Sequence, residues 1–175
     1  MPAATSKKTK TKAAKKATAT VDKIVAGSTV PDFSLPATRI KRVGRAGLKG
    51  KPFVLYFYPK DNTSGCTVEA CDFRDSMAAF NKLGVLVIGV SKDNLESHEK
   101  FAKKFGLNFP LASDENGKVC EKFGVWIKKS MYGRSYMGIE RSTFLIDAKG
   151  KVRTVWRKVN VPGHIGEVTK AVAAL

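Results

Sequence analysis

Cys66 sits in the stretch YFYPKDNTSGCTVEACDFRD, where an apolar run ends and a segment free of Pro and Gly begins, so its sulfur is expected at the mouth of a strand-to-helix turn. Backbone N–H groups converge at such a turn and the positive end of the helix dipole points at the side chain, which favours a thiolate. The chemistry offered is therefore nucleophilic attack by sulfur. Gly65 allows the close backbone approach of a tight turn, and Thr63 places a hydroxyl three residues before the sulfur. A cysteine taken at random near a helix start is more often a small buried hydrophobe. Here the glycine and the hydroxyl favour the reactive reading. Nearby in sequence the only basic groups are Lys60 and Arg74, so a further cation must arrive from elsewhere in the fold.

Cys71 follows five residues on. In an intact helix such a pair is turned about 140° apart with Cα atoms near 8.7 Å, beyond the roughly 7 Å limit for a disulfide. A bond between them requires the first turn or two to unwind, which would make it a redox-coupled order–disorder switch. The alternative is that Cys71 is an ordinary apolar-face residue. Cys120 is read either as a packed residue on a short helix or as an alternative resolving or intermolecular thiol. His98 and His164 are expected on solvated helix faces, too far from any cysteine pattern to suggest zinc, and no glycine motif for phosphate is present.

The elements that must position these residues alternate. PFVLYFYP at 52–59 reads as a central strand buried on both faces, and Thr67 to about Leu83 as a helix with Val68, Cys71, Met77 and Phe80 on its apolar side. VLVIGVS at 85–91 is a second buried strand, and 94–107 a helix capped by Asn94. A short strand at 109–114 and a short helix at 118–125 follow. STFLID at 142–147 and KVRTVWRKV at 151–159 form a hairpin, and a helix runs from about Gly163 to the end. Ahead of all these, the basic segment 39–50 is a loop or short hairpin after PDF-SLP at 31–36. Strands and helices in this order make an α/β fold with a mixed central sheet covered on both faces.

A length of 175 residues suits one globular domain, and 43% apolar residues exclude a wholly disordered chain. The longest apolar run, GVLVIGV at 84–90, is of strand length, so a soluble protein is expected. Three cysteines and the lack of an apolar segment at the N-terminus point to a reducing compartment, the bacterial cytoplasm, or the nucleus in a eukaryote. The formal net charge of +17 has two sources. Residues 1–20 carry six lysines, no acid and no aromatic, and read as a disordered basic arm; the domain at 21–175 keeps 26 basic against 15 acidic residues. The arm is either a solvated tail, a non-specific and salt-sensitive contact to nucleic acid, or a nuclear import signal.

Pro59, Thr63 and Cys66 match the PxxxTxxC signature of peroxiredoxins, and YFYPKDNTSGCTVEACDFRD with GIERSTFLID at 138–147 resembles the peroxiredoxin Q, or bacterioferritin comigratory protein, subfamily. The likeness extends over roughly 22–175. It implies a thioredoxin-like fold and thiol-dependent reduction of hydrogen peroxide and organic hydroperoxides. By resemblance Cys66 is the peroxidatic cysteine, Pro59 shields it from water, Thr63 orients the peroxide, Arg141 stabilises the thiolate, Glu69 helps orient that arginine, and Cys71 is the resolving cysteine. Ser64 departs from the pattern, standing where many members have Pro.

The chemistry fits these residue types, because a departing peroxide oxygen needs donors and the sulfenic acid needs a second thiol and an external dithiol such as thioredoxin or glutaredoxin. No metal, flavin or nucleotide cofactor is called for. A monomer is expected. The rival class is a basic nucleic-acid-associated redox sensor with secondary peroxidase activity; a disulfide reductase is disfavoured because no Cys-x-x-Cys occurs. Met131, Tyr132, Tyr136 and Met137 are read as core or loop packing, with a hydrophobic lip for alkyl hydroperoxides as the weaker alternative.

Overall fold

The computed structural model describes residues 23–175, so the basic arm read at 1–20 lies outside the described residues. A short antiparallel pair joins β1 (Ser34–Pro36), in the stretch ahead of the expected loop or hairpin, to β2 (Arg42–Gly44) within 39–50, and a single 3-10 turn follows at Ala46–Leu48. Next come β3 (Phe53–Phe57), α1 (Ser64–Lys82), β4 (Leu86–Ser91), α2 (Leu95–Phe105), β5 (Leu111–Ser113) and α3 (Lys118–Lys122). The chain ends with β6 (Trp126–Met131), β7 (Arg134–Ile139), β8 (Ser142–Ile146), β9 (Val152–Trp156) and α4 (His164–Ala173).

All five residues of β3 are buried, as a central strand covered on both faces requires. The five-stranded sheet runs β5-β4-β3-β8-β9, with β4 parallel to β3 and β5, and β8 antiparallel to β3 and β9. Successive side chains of β3 point to opposite faces and so feed two cores. Phe53, Leu55 and Phe57 join Phe33, Phe123 and Phe144 on the face covered by β1, β2 and α3. Val54 and Tyr56 join Phe73, Phe80, Phe101 and Val168 on the face covered by α1, α2 and α4. Phe73 stacks on Tyr56 with ring centroids 4.5 Å apart. Truncating a buried aromatic of this kind to Ala costs about 3–5 kcal/mol. This is the mixed sheet with helices on both faces that the alternation predicts.

Several local expectations need correction. Helix α1 starts at Ser64 instead of Thr67, so Cys66 is its third residue and not a residue ahead of it. Its buried stripe is Cys66, Glu69, Ala70, Phe73, Met77 and Phe80, spaced by three and four, whereas Val68 is exposed on the opposite side. His98 and His164 are buried, not solvated. Residues 126–139 form a two-stranded antiparallel hairpin, β6–β7, and its Met131, Tyr132, Tyr136 and Met137 are all exposed instead of packed in a core. Asn94 does cap α2, its side chain accepting from the Ser97 N–H at 2.8 Å.

Candidate active site

β3 delivers the chain to the site. Pro59 and Lys60 leave the strand end, Asn62 turns the backbone with a φ of 62°, and Thr63 is extended before α1 begins. Ser64 takes the first helical position, where Pro is also favoured, so the departure from the family pattern leaves the turn intact. Thr63 donates its hydroxyl proton to the Lys60 carbonyl at 2.9 Å and does not cap the helix. Its oxygen lone pairs are thereby left to accept. The N–H groups of the first helical turn, to which Cys66 belongs, have no intrahelical partner and no side-chain cap.

The missing cation arrives by strand register. β8 pairs antiparallel with β3, with Ser142 opposite Phe57, so Arg141 lies beside the end of β3 from which the Cys66 loop departs. Arg141 Nη2 donates to Cys66 Sγ at 3.3 Å, and Nη1 donates to the Glu69 carboxylate one helical turn further on. Gly65 makes this approach feasible: a Cβ on it would stand 3.2 Å from Arg141 Nη2. Its role is thus to admit the guanidinium, not to permit a tight turn. The Arg141 backbone is fixed by its carbonyl accepting from Val159 N–H at 2.9 Å and by the neighbouring Glu140 pairing with Arg157 at 2.8 Å. Burial pushes the Glu69 carboxyl up to about 7 against the opposing pull of Arg141.

A second set of residues, not anticipated from the sequence, holds the loop from below. Asp61 is buried and accepts from the Tyr58 hydroxyl at 2.6 Å and the Ser97 hydroxyl at 2.8 Å, and its other close partner is His98 Nδ1 at 2.7 Å. His98 Nε2 faces only the Ala112 carbonyl, at 3.0 Å, so that nitrogen carries a proton and donates it. Asp93 in turn accepts from the Asp61 N–H and the Ser91 hydroxyl. Asp61, Asp93 and His98 stand close enough to hold a metal, but hydrogen bonds already occupy their ligand atoms, which suits a structural tie better than a metal centre. The signal for His98 was in the sequence, since 98 completes the apolar spacing of 95, 101, 102 and 105. Asp61 gave no such signal.

Pro59, Thr63, Cys66, Glu69 and Arg141 thus converge at one end of β3. Cys71 lies in the same unbroken helix as Cys66, half-buried, with its thiol free. Cys120 is fully buried in α3. His164 accepts or donates at Thr143 Oγ1, 2.8 Å away, and burial holds it below the usual imidazole range. Lys129, on β6, was also missed; it feels the charges of Cys66 and Arg141. No helix among the described residues is long and apolar enough to cross a membrane.

Residues 26–155 match the AhpC/TSA family. The chain is 50% identical over 141 residues to Peroxiredoxin Bcp of Bacillus subtilis, covering 81% of this chain and 90% of that one. It is 47% identical over 139 residues to Peroxiredoxin Bcp of Escherichia coli, covering 79% and 89%. Among solved structures, the bacterioferritin comigratory protein of Xanthomonas campestris, studied for alkyl peroxide reduction, superposes with a TM-score of 0.77 at 42% identity over 81% of this chain and 90% of that one. The chain belongs to the AhpC/TSA family and is a thiol-dependent peroxidase of the peroxiredoxin kind with a thioredoxin-like fold.

Proposed function

We propose that in this member of the AhpC/TSA family Cys66 is the peroxidatic sulfur and Cys71 the resolving one, acting on hydrogen peroxide and organic hydroperoxides. The observation that carries the reading is the Arg141 guanidinium, which is bound at once to Cys66 Sγ at 3.3 Å and to Glu69. The thiolate attacks one peroxide oxygen; an S–O bond forms as the O–O bond breaks, and sulfur loses two electrons. The other oxygen leaves as alkoxide or hydroxide and takes up a proton to become alcohol or water. Arg141 and the free N–H groups of the first turn of α1 are placed to stabilise the developing charge, while the Thr63 oxygen accepts from the peroxide O–H. By the family likeness Pro59, just past the end of β3, shields the buried sulfur from water.

The sulfenic acid on Cys66 then condenses with the Cys71 thiol, releasing water and forming a disulfide. Since both residues belong to one continuous helix, the start of α1 must unwind first. An external dithiol of the thioredoxin or glutaredoxin type is oxidised as it returns both thiols. Every named group lies in one chain, so a monomer suffices. The bacterial origin of the relatives supports a cytoplasmic setting, with residues 1–20 as an appendage to the catalytic domain at 21–175. Peroxide consumption coupled to thioredoxin and its reductase tests the reading. Cys66→Ser should abolish it, Cys71→Ser should permit a single oxidation without recycling, and peptide mapping of oxidised protein should give the Cys66–Cys71 link. A Cys66–Cys120 link would remove Cys71 from its role.

A further inference from the structure

We infer that the cavity beside Pro59, walled by the β6–β7 hairpin, receives the anionic end of an organic hydroperoxide, so that the enzyme selects compact peroxides bearing a carboxylate or similar charge. This rests on the reading of Cys66 as the attacking sulfur and adds the substrate class. The cavity has a volume of about 390 Å³ and takes Pro59 and Lys60 from the catalytic loop, Lys92 from the turn after β4, and Trp126, Lys129 and Tyr136 from the hairpin. Lys129 in the wall of this cavity is near enough to feel the charges of both Cys66 and Arg141, which puts the cavity beside the reacting sulfur.

Three ammonium groups ring this space, and none of them is paired with a carboxylate among the described residues. The one acid in its wall is Asp93, whose carboxylate is already engaged by the Asp61 N–H at 2.9 Å and the Ser91 hydroxyl at 2.6 Å. Lys92 Nζ stands 4.1 Å above the Trp126 ring, held by the π-face instead of by a counter-ion. The Lys129 stem lies across Gly138, where a Cβ would meet its Cδ at 3.2 Å, so the missing side chain at 138 is what lets the ammonium lie down over the hairpin. Burial and the Arg141 guanidinium hold Lys129 below the usual lysine range, outweighing the opposing pull of Cys66 and Glu140, neither of which forms an ion pair with it. The apolar body of a ligand would rest on Trp126 and Tyr136. The volume is at the small end for a ligand site and suits a short or single-ring body.

The test compares cumene hydroperoxide with its para-carboxylate derivative, which share one skeleton and differ in charge. Stopped-flow rates of Cys66 oxidation in the full chain at low ionic strength should favour the carboxylate about tenfold, equivalent to about 1.4 kcal/mol. Lys129→Met and, separately, Lys92→Met should each cut that ratio about threefold or more. Lys103→Met, a remote exposed position on α2, should leave the ratio unchanged and thereby separates the cavity from the overall basic charge. A ratio near one in the intact protein, an undiminished ratio in both cavity variants, or an equal fall in Lys103→Met overturns the inference. Hydrogen peroxide serves as the independent arm: its failure to oxidise Cys66 would condemn the reading of the sulfur itself, whereas a ratio near one with hydrogen peroxide still consumed condemns only the charge selection.

Discussion

Cys66 and Cys120 occupy the same place in their helices, the third residue, and are equally hidden at 1% and 0% exposure. Their surroundings differ in sign. At Cys66 the first-turn N–H groups have no side-chain cap, and a guanidinium donates to the sulfur. At the start of α3 the Asp114 carboxylate takes the Cys120 N–H at 2.8 Å and the Val119 N–H at 3.3 Å. The positive end of that short helix is therefore already answered by a carboxylate. Burial, then the hydrogen bond and charge of Asp114, push the Cys120 thiol far up and keep it protonated. Neither burial nor a helix start makes a cysteine reactive; what decides it is which charge the fold supplies to the sulfur and its neighbouring N–H groups.

That contrast can be broken most directly by removing each sulfur. Cys66→Ser should lower peroxide consumption by at least about 10³-fold, whereas Cys120→Ala should stay within about twofold in rate and lose about 1–2 kcal/mol in denaturant unfolding. A large loss of activity in Cys120→Ala would end the comparison. Arg141→Met, which strips the cation from one side of it, should slow Cys66 oxidation about 10²- to 10³-fold by stopped flow; a change under tenfold would deny the guanidinium its place. Gly65→Ala sharpens the point by crowding Arg141 without touching either sulfur. About tenfold in rate is expected, with unfolding stability within about 1 kcal/mol of the parent.

The remaining effect is on stability and concerns pH. Glu69 is raised from 4.5 to about 7, so the folded protein holds a proton that the unfolded chain gives up. Stability should then fall as pH rises from about 4.5 to 7 and level off above, by on the order of 3 kcal/mol. In Glu69→Gln that slope should vanish. An unchanged slope in the variant, measured by urea unfolding at several pH values, would assign it to another group.

Much of this site is legible in the sequence because its residues are close together or carry a fixed spacing. Pro59, Thr63, Cys66, Glu69 and Cys71 fall within thirteen residues, and the apolar runs at β3 and β4 declare the strands that frame them. Arg141 came only through the family likeness, since nothing in its own neighbourhood reveals that β8 will pair with β3. The β6–β7 hairpin escaped because no residue of WIKKSM is fully buried and its half-buried positions 126, 127 and 129 do not alternate as apolar residues with exposed polar ones. Tyr132 and Gly133, both at positive φ, were its turn signal, disguised by a tyrosine where Asn or Asp is usual. The burial of His98 was foreshadowed by the apolar spacing of its helix, whereas that of Asp61 could be seen only once it had His98 as a partner, 37 residues away.

The distance along the chain between Cys66 and Arg141, 75 residues, has a meaning in time. At a synthesis rate of about 5–20 residues per second, roughly 4–15 s separate the appearance of the sulfur from that of its guanidinium. Throughout that interval the nascent chain bears a thiol without its cation. The sulfur thus meets its guanidinium only after β8 is made and paired with β3, so the activation proposed for Cys66 belongs to the finished sheet and not to the growing chain.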